Sequence, residues 1–214
     1  MRTLIAIIVS TAAIIVFTQL IFWGFPLEDI GENVRGALFT VSSLISTTGF
    51  YSVDYSGWIS VAYMLLLLTF VGGSAGSTSG GVKVIRVLLV FKYCYYEFKR
   101  MIHPHAVFPV RYNGRAVKEE YITRMLAFIL LYVILSLFGA MILCISGLGF
   151  EESISSMVSC LGNVGPGLGH LGPLDNYQSL PAFAKWFMSF AMLVGRLEIF
   201  PLLFELAGHA IFIG

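Results

Sequence analysis

The chain alternates long apolar runs with short polar interruptions. Leu4 to Trp23 carries no charge and has the length, about 20 residues, that a bilayer demands of a helix. Trp23 and Phe25 fall where an interfacial aromatic belt is expected, and Pro26 ends the helix. Asn33 to Ile45 is a shorter, moderately apolar segment that cannot cross. Glu28, Asp29 and Glu32 stand at its start, where acids suit the positive end of a helix. Trp58 to Phe70 is apolar but short, and it breaks at the run Gly72 to Gly81. Helix is predicted to resume at Val82 and continue towards Met101. His103 to Lys118 reads as a polar loop, with Pro104, Pro109 and Asn113-Gly114. Met125 to Phe150 predicts the next full span, and Glu151 to Leu161 a second short segment, again led by acids. After a Gly/Pro-rich stretch to Pro173, a last helix is predicted from Ala182 to Ile213.

The order span, half-helix, turn, span is therefore written twice. The pattern predicts an all-α polytopic membrane protein made of two tandem outer-helix/re-entrant pore-loop/inner-helix repeats. The first occupies 1–101, a linker loop 102–120, and the second 121–214. Two windows support the repeat directly. Val41 to Phe50 aligns without a gap on Met157 to Pro166, so that Ser43 falls on Ser159 and Gly49 on Gly165.

Composition agrees with a membrane protein. Hydrophobic residues make up 57% and charged residues 12%, against about 25% charged in an ordinary soluble domain. The mean hydropathy is +0.86. The N-terminal apolar run is longer than a signal core of about 7–15 residues, so it reads as a span. The net charge of +1 conceals a segregation of sign. Nine of the thirteen Lys and Arg residues lie between Lys83 and Arg124. The positive-inside rule makes that segment cytoplasmic and turns both short bends outward. The outward segments hold Glu28, Asp29, Glu32, Asp54, Glu151, Glu152 and Asp175, a distribution that concentrates cations at a mouth.

Irregular backbone cannot face lipid, because each unpaired amide there costs several kcal/mol. It persists only inside protein or along water. Glycine permits left-handed backbone, so carbonyls can turn towards an ion. The candidate ion-coordinating carbonyls are those of Thr47, Thr48, Gly49, Asn163, Val164 and Gly165. The plainer alternative is a pair of tight external loops. The run Gly72, Gly73, Gly76, Gly80, Gly81 reads as an unwound gate within a membrane helix, or else as a packing kink. It does not make a nucleotide loop, since Val82 separates Gly81 from Lys83 and no Ser or Thr follows the lysine. Arg196 and Glu198 sit inside the last apolar segment, with Glu205 further on. Arg196 either lines the pathway, locks the Gly-rich run, or pairs with an acid. His103 and His105 flank Pro104 with no third ligand nearby. Cys94, Cys144 and Cys160 have no metal spacing. No constellation of an enzyme is present in the sequence, and neither a metal other than a permeant cation nor a nucleic acid is expected.

Several stretches together resemble a known family. They are Ser46-Thr47-Thr48-Gly49-Phe50, the run Gly72 to Lys83, Asn163-Val164-Gly165-Pro166-Gly167, Phe187 to Phe200, and the loop from Ile102-His103-Pro104 to Pro109-Val110-Arg111. The chain is similar to the C-terminal half of a TrkH-type subunit of the Trk/Ktr/HKT potassium-uptake superfamily. The resemblance implies four repeats arranged like one potassium channel, of which this chain supplies the last two. It implies K+ as permeant ion, a gating loop at Gly72–Gly81, and a pore-facing Arg196. It further implies a homodimer in the bacterial inner membrane. A cytoplasmic nucleotide-binding regulator of the TrkA kind would bind there, and nucleotides would bind that partner, not this chain. The first two repeats are missing. The chain is thus expected to be a truncated frame, a fragment, or a half-pore that joins a companion, with a non-conducting assembly subunit as the alternative.

Overall fold

The computed structural model describes residues 2–22, 30–55, 58–74, 76–77, 79–102, 109–112 and 115–197. It is helical. α1 is Arg2–Phe22, α2 Ile30–Ile45, α3 Ile59–Val71, α4 Val84–Ile102, α5 Glu119–Ile145, α6 Phe150–Gly162 and α7 Ala182–Arg196. Single 3-10 turns, Gly169–Leu171 and Tyr177–Ser179, lie between α6 and α7. By length and composition, Thr3–Ile21 and Glu119–Ile145 are able to cross a membrane.

Each short segment is held by longer helices. α2 packs between α1 and α3, and α6 between α5 and α7, while α3 also touches α6. Two apolar clusters result. One joins Ile15, Ala37, Val41, Leu44, Val61 and Leu65; the other joins Phe128, Tyr132, Leu143, Met157, Leu161 and Met188. Val164 comes from the second bend yet belongs to the first cluster, so its side chain ties the two halves together. α6 is enclosed nearly all round, with Ser153, Ser155, Ser156 and Ser159 buried along with its apolar residues. α2 is buried on one side only, leaving Leu38 and Phe39 exposed.

Several boundaries depart from the sequence expectation. α5 starts at Glu119, ahead of Met125, because Glu119 and Glu120 occupy its first turn. There they favour the positive helix end, and Arg124 Nη2 donates to Glu120 Oε1 at 2.6 Å. α5 stops at Ile145, before Phe150, where Gly147 takes φ +98°. α4 starts at Val84 and not Val82. Val82 N–H is used by Phe70 O at 3.1 Å, and Lys83 takes φ +73°, so the irregular segment runs two residues further. The expected polar loop contains a docked hairpin. Arg111–Tyr112 pairs antiparallel with Arg115–Ala116, and Val110 is buried with Leu89 and Ile122 of α4 and α5. Lys92 Nζ donates to Arg111 O at 3.4 Å, and Arg100 bridges Glu97 and Glu119 at 3.3 and 2.9 Å. Trp23, Phe25, Pro26, Glu28, Asp29, His103, Pro104, His105, Glu198, Glu205 and the predicted helix beyond Leu197 lie outside the described residues.

Candidate functional site

Two helices end in the same way. At the end of α2, Thr47 N–H donates to Leu44 O at 3.1 Å and Thr48 N–H to Ser43 O at 2.9 Å. At the end of α6, Asn163 N–H donates to Cys160 O at 3.1 Å and Val164 N–H to Ser159 O at 3.0 Å. These are the paired bonds of a Schellman closure, made at positions that the sequence alignment superposes. Thr47 and Asn163 both sit in the left-handed region, at φ +55° and +54°, and Gly49 and Gly165 follow at +76° and +116°. In both bends, then, the chain leaves its helix by one backbone path.

The bends also meet. A Cβ built on Gly49 would collide with the Val164 carbonyl oxygen and lie 3.3 Å from Pro166 Cδ. The same addition at Gly165 meets nothing within 4 Å. Gly49 is a point of backbone contact, whereas Gly165 opens on free space. The C-terminal ends of α2 and α6 converge on this place, and a helix C-terminus carries roughly half a negative charge. The combined field favours a cation.

The second bend is tied down by side chains that the sequence reading missed. Ser159 Oγ accepts Gly165 N–H at 3.0 Å, and Ser155 Oγ accepts Leu168 N–H at 3.0 Å. Asn163 Nδ2 donates to Met192 O at 3.1 Å, which fastens the bend to α7. Tyr177 Oη donates to Gly165 O at 2.8 Å. Burial pushes the Tyr177 phenol up to about 12. Ser43 Oγ, aligned with Ser159, has no partner among the described residues. The two bends thus agree in the backbone but not in the supporting side chains. The one legible signal was the Ser43–Ser159 alignment. Tyr177 and Ser155 carry no motif.

The glycine run lies directly beneath both bends. Gly72 caps α3 at φ +69°, and the chain returns so that Val84 N–H donates to Gly73 O at 3.0 Å. Gly80 N–H donates to Thr47 Oγ1 at 3.2 Å. A Cβ on Gly73 would lie 3.4 Å from Ile45 O, and one on Gly80 would strike Gly162 O. The run therefore bridges the ends of α2 and α6. Gly76, at φ +77°, has nothing within 4 Å of a built Cβ. Gly195 of α7 faces the Leu161 carbonyl too closely for any side chain. That contact places Arg196 in a cavity of about 200 Å³ shared with Ser77, Ser79, Gly80, Gly81 and Lys83. On the other side of the bends Glu151 opens on a second cavity with Tyr55 and Gly167–Gly169, while Glu152 accepts the Gly149 and His170 amides at 3.4 Å each.

Residues 2–209 match the family model for TrkH, described as a cation transport protein. The chain belongs to the TrkH family. The potassium uptake protein TrkH of Salmonella typhimurium is 35% identical over 192 residues, which cover 89% of this chain and 39% of that protein. The Halomonas elongata potassium uptake protein TrkI is 39% identical over 167 residues, covering 77% and 34%. The crystal structure of the potassium transporter TrkH from Vibrio parahaemolyticus superposes with a TM-score of 0.86 at 32% identity, covering 96% of this chain and 43% of that one. This TrkH-family chain thus spans about two-fifths of the length of the curated relatives it matches. The TrkH relationship accounts for the helical membrane fold.

Proposed function

We propose that this TrkH-family chain forms two of the repeats lining a potassium-conducting pore. K+ is the permeant substrate, coordinated by main-chain carbonyls at Thr47, Thr48, Gly49, Asn163, Val164 and Gly165. Of these, the Gly165 oxygen already accepts one hydrogen bond, from Tyr177. Gly72, Gly73, Gly76, Gly80 and Gly81, with Arg196, form the gate below. The two units, 1–101 and 121–214, are joined by a cytoplasmic segment at 102–120. Both bends face outward across the bacterial inner membrane. The remaining turns come from preceding repeats or a companion half. The whole subunit is a homodimer that binds a cytoplasmic nucleotide-binding regulator. No cofactor is bound by this chain.

The observation that carries the reading is the meeting of two identically closed bends, Gly49 against the Val164 carbonyl, at converging helix C-termini. An ion path through protein needs fixed dipoles in place of water, and backbone carbonyls at close quarters supply them. The test is potassium uptake in a strain lacking its own uptake systems, with the companion turns supplied. Uptake that depends on this chain, and that is lost on Gly49→Val, is the expected result. Absence of flux with and without a companion would favour a non-conducting assembly subunit.

A further inference from the structure

The second bend is braced from outside by a structure that the ion path itself does not require. Tyr177 stands on the 3-10 turn Tyr177–Ser179, twelve residues beyond Gly165. That turn is built to be stiff. Asn176 Oδ1 accepts Gln178 N–H at 2.9 Å, and Lys185 Nζ of α7 donates to Gln178 O at 2.7 Å. The Tyr177 ring and Leu180 pack against the cluster formed by α5, α6 and α7. From this fixed base the hydroxyl reaches the Gly165 carbonyl at 2.8 Å. Gly165 needs such a hold. Its φ of +116° lies where backbone is free to swing, and nothing within 4 Å fills the space on its Cβ side. Its N–H is fixed separately by Ser159 Oγ at 3.0 Å. Both polar groups of one glycine are therefore held by side chains, one from the helix behind and one from the external loop.

We propose that Tyr177 is a positioning residue for ion selectivity, which fixes the angle at which the Gly165 carbonyl faces a permeating cation. The inference rests on the reading of these bends as an ion filter. A carbonyl that accepts a phenol O–H has one lone-pair direction committed, and it cannot rotate to follow a smaller ion without breaking that bond. Where a cavity of fixed size discriminates against sodium, it depends on such resistance. Removing the hydroxyl while keeping the ring lets the carbonyl turn.

The experiment uses the assembled transporter in cells and measures rubidium (as a potassium surrogate) and sodium uptake. Tyr177→Phe should retain transport and membrane abundance while the potassium-over-sodium ratio falls roughly three- to ten-fold, the range set by loss of one ordinary hydrogen bond. Gly165→Ala is the parallel control. If Gly165→Ala alters the ratio and Tyr177→Phe does not, the bracing role is overturned while the filter reading stands. If neither alters it, the filter reading fails and takes the brace with it. Should Tyr177→Phe not accumulate, Lys185→Met loosens the same turn without touching the ring. A smaller fall in the ratio is then expected, and an unchanged ratio overturns the proposal.

Discussion

Thr47 adopts φ +55° although a branched side chain makes that conformation cost roughly 1–2 kcal/mol. Two closing bonds and the Gly80 amide on its Oγ1 offset the strain. The aligned Asn163 meets the same demand with a side chain that tolerates it better and uses its amide to grip Met192 O. Gly49 and Gly165 differ more sharply. Alanine at Gly165 meets no neighbouring atom but must take a φ of +116°, a strain of roughly 1–3 kcal/mol, which predicts about a five- to 150-fold loss of competent transporter. Alanine at Gly49 must also displace the Val164 carbonyl, so uptake should be abolished. Uptake assays at matched membrane abundance check the order; equal severity would mean that the contact at Gly49 is not what holds the bends. The need for glycine at both positions was legible in the sequence, because turns between membrane spans require it. Their inequality was not, since it depends on where the other bend passes.

At the scale of elements, the helices were legible because each apolar run is bounded by acids, glycine or proline. The two short helices stood out by being too brief to cross. What the sequence hid was how loops return. Val82 opens the apolar stretch after the glycine run, yet its N–H is claimed by Phe70 O, and the helix waits until Val84. The pairing of Arg111–Tyr112 with Arg115–Ala116 had a signal in Asn113-Gly114, which reads only as a loop because the surrounding residues are polar and basic. The glycine run shows why composition alone under-describes a gate. Gly80 is pinned between Thr47 and the Gly162 carbonyl, whereas Gly76 stands clear. Gly80→Ala should thus disturb transport strongly, while Gly76→Ala should act mainly through local strain and leave most uptake intact. Flux measurements on the two variants separate a run of interchangeable small residues from one whose glycines are packed at particular positions.

For the molecule as a whole, the proposed orientation rests on the clustering of positive charge between Lys83 and Arg124. Asp175 and Lys118 are both exposed and fall on opposite sides in this reading. With the exposed Cys94 replaced by serine, Asp175→Cys should react with a membrane-impermeant maleimide on intact cells and Lys118→Cys only after lysis. The reverse pattern would invert the topology. The likeness of the two bends was legible from ten aligned residues, but the packing that joins them was not, because it is made by groups far apart in the chain: α3 against α6, the glycine run across the ends of α2 and α6, and the Val164 side chain. Val164 completes a cluster whose other members lie in α1, α2, α3 and the Tyr55–Trp58 region. The packing of these three helices is therefore complete only once a stretch of chain about a hundred residues further on has folded back against them.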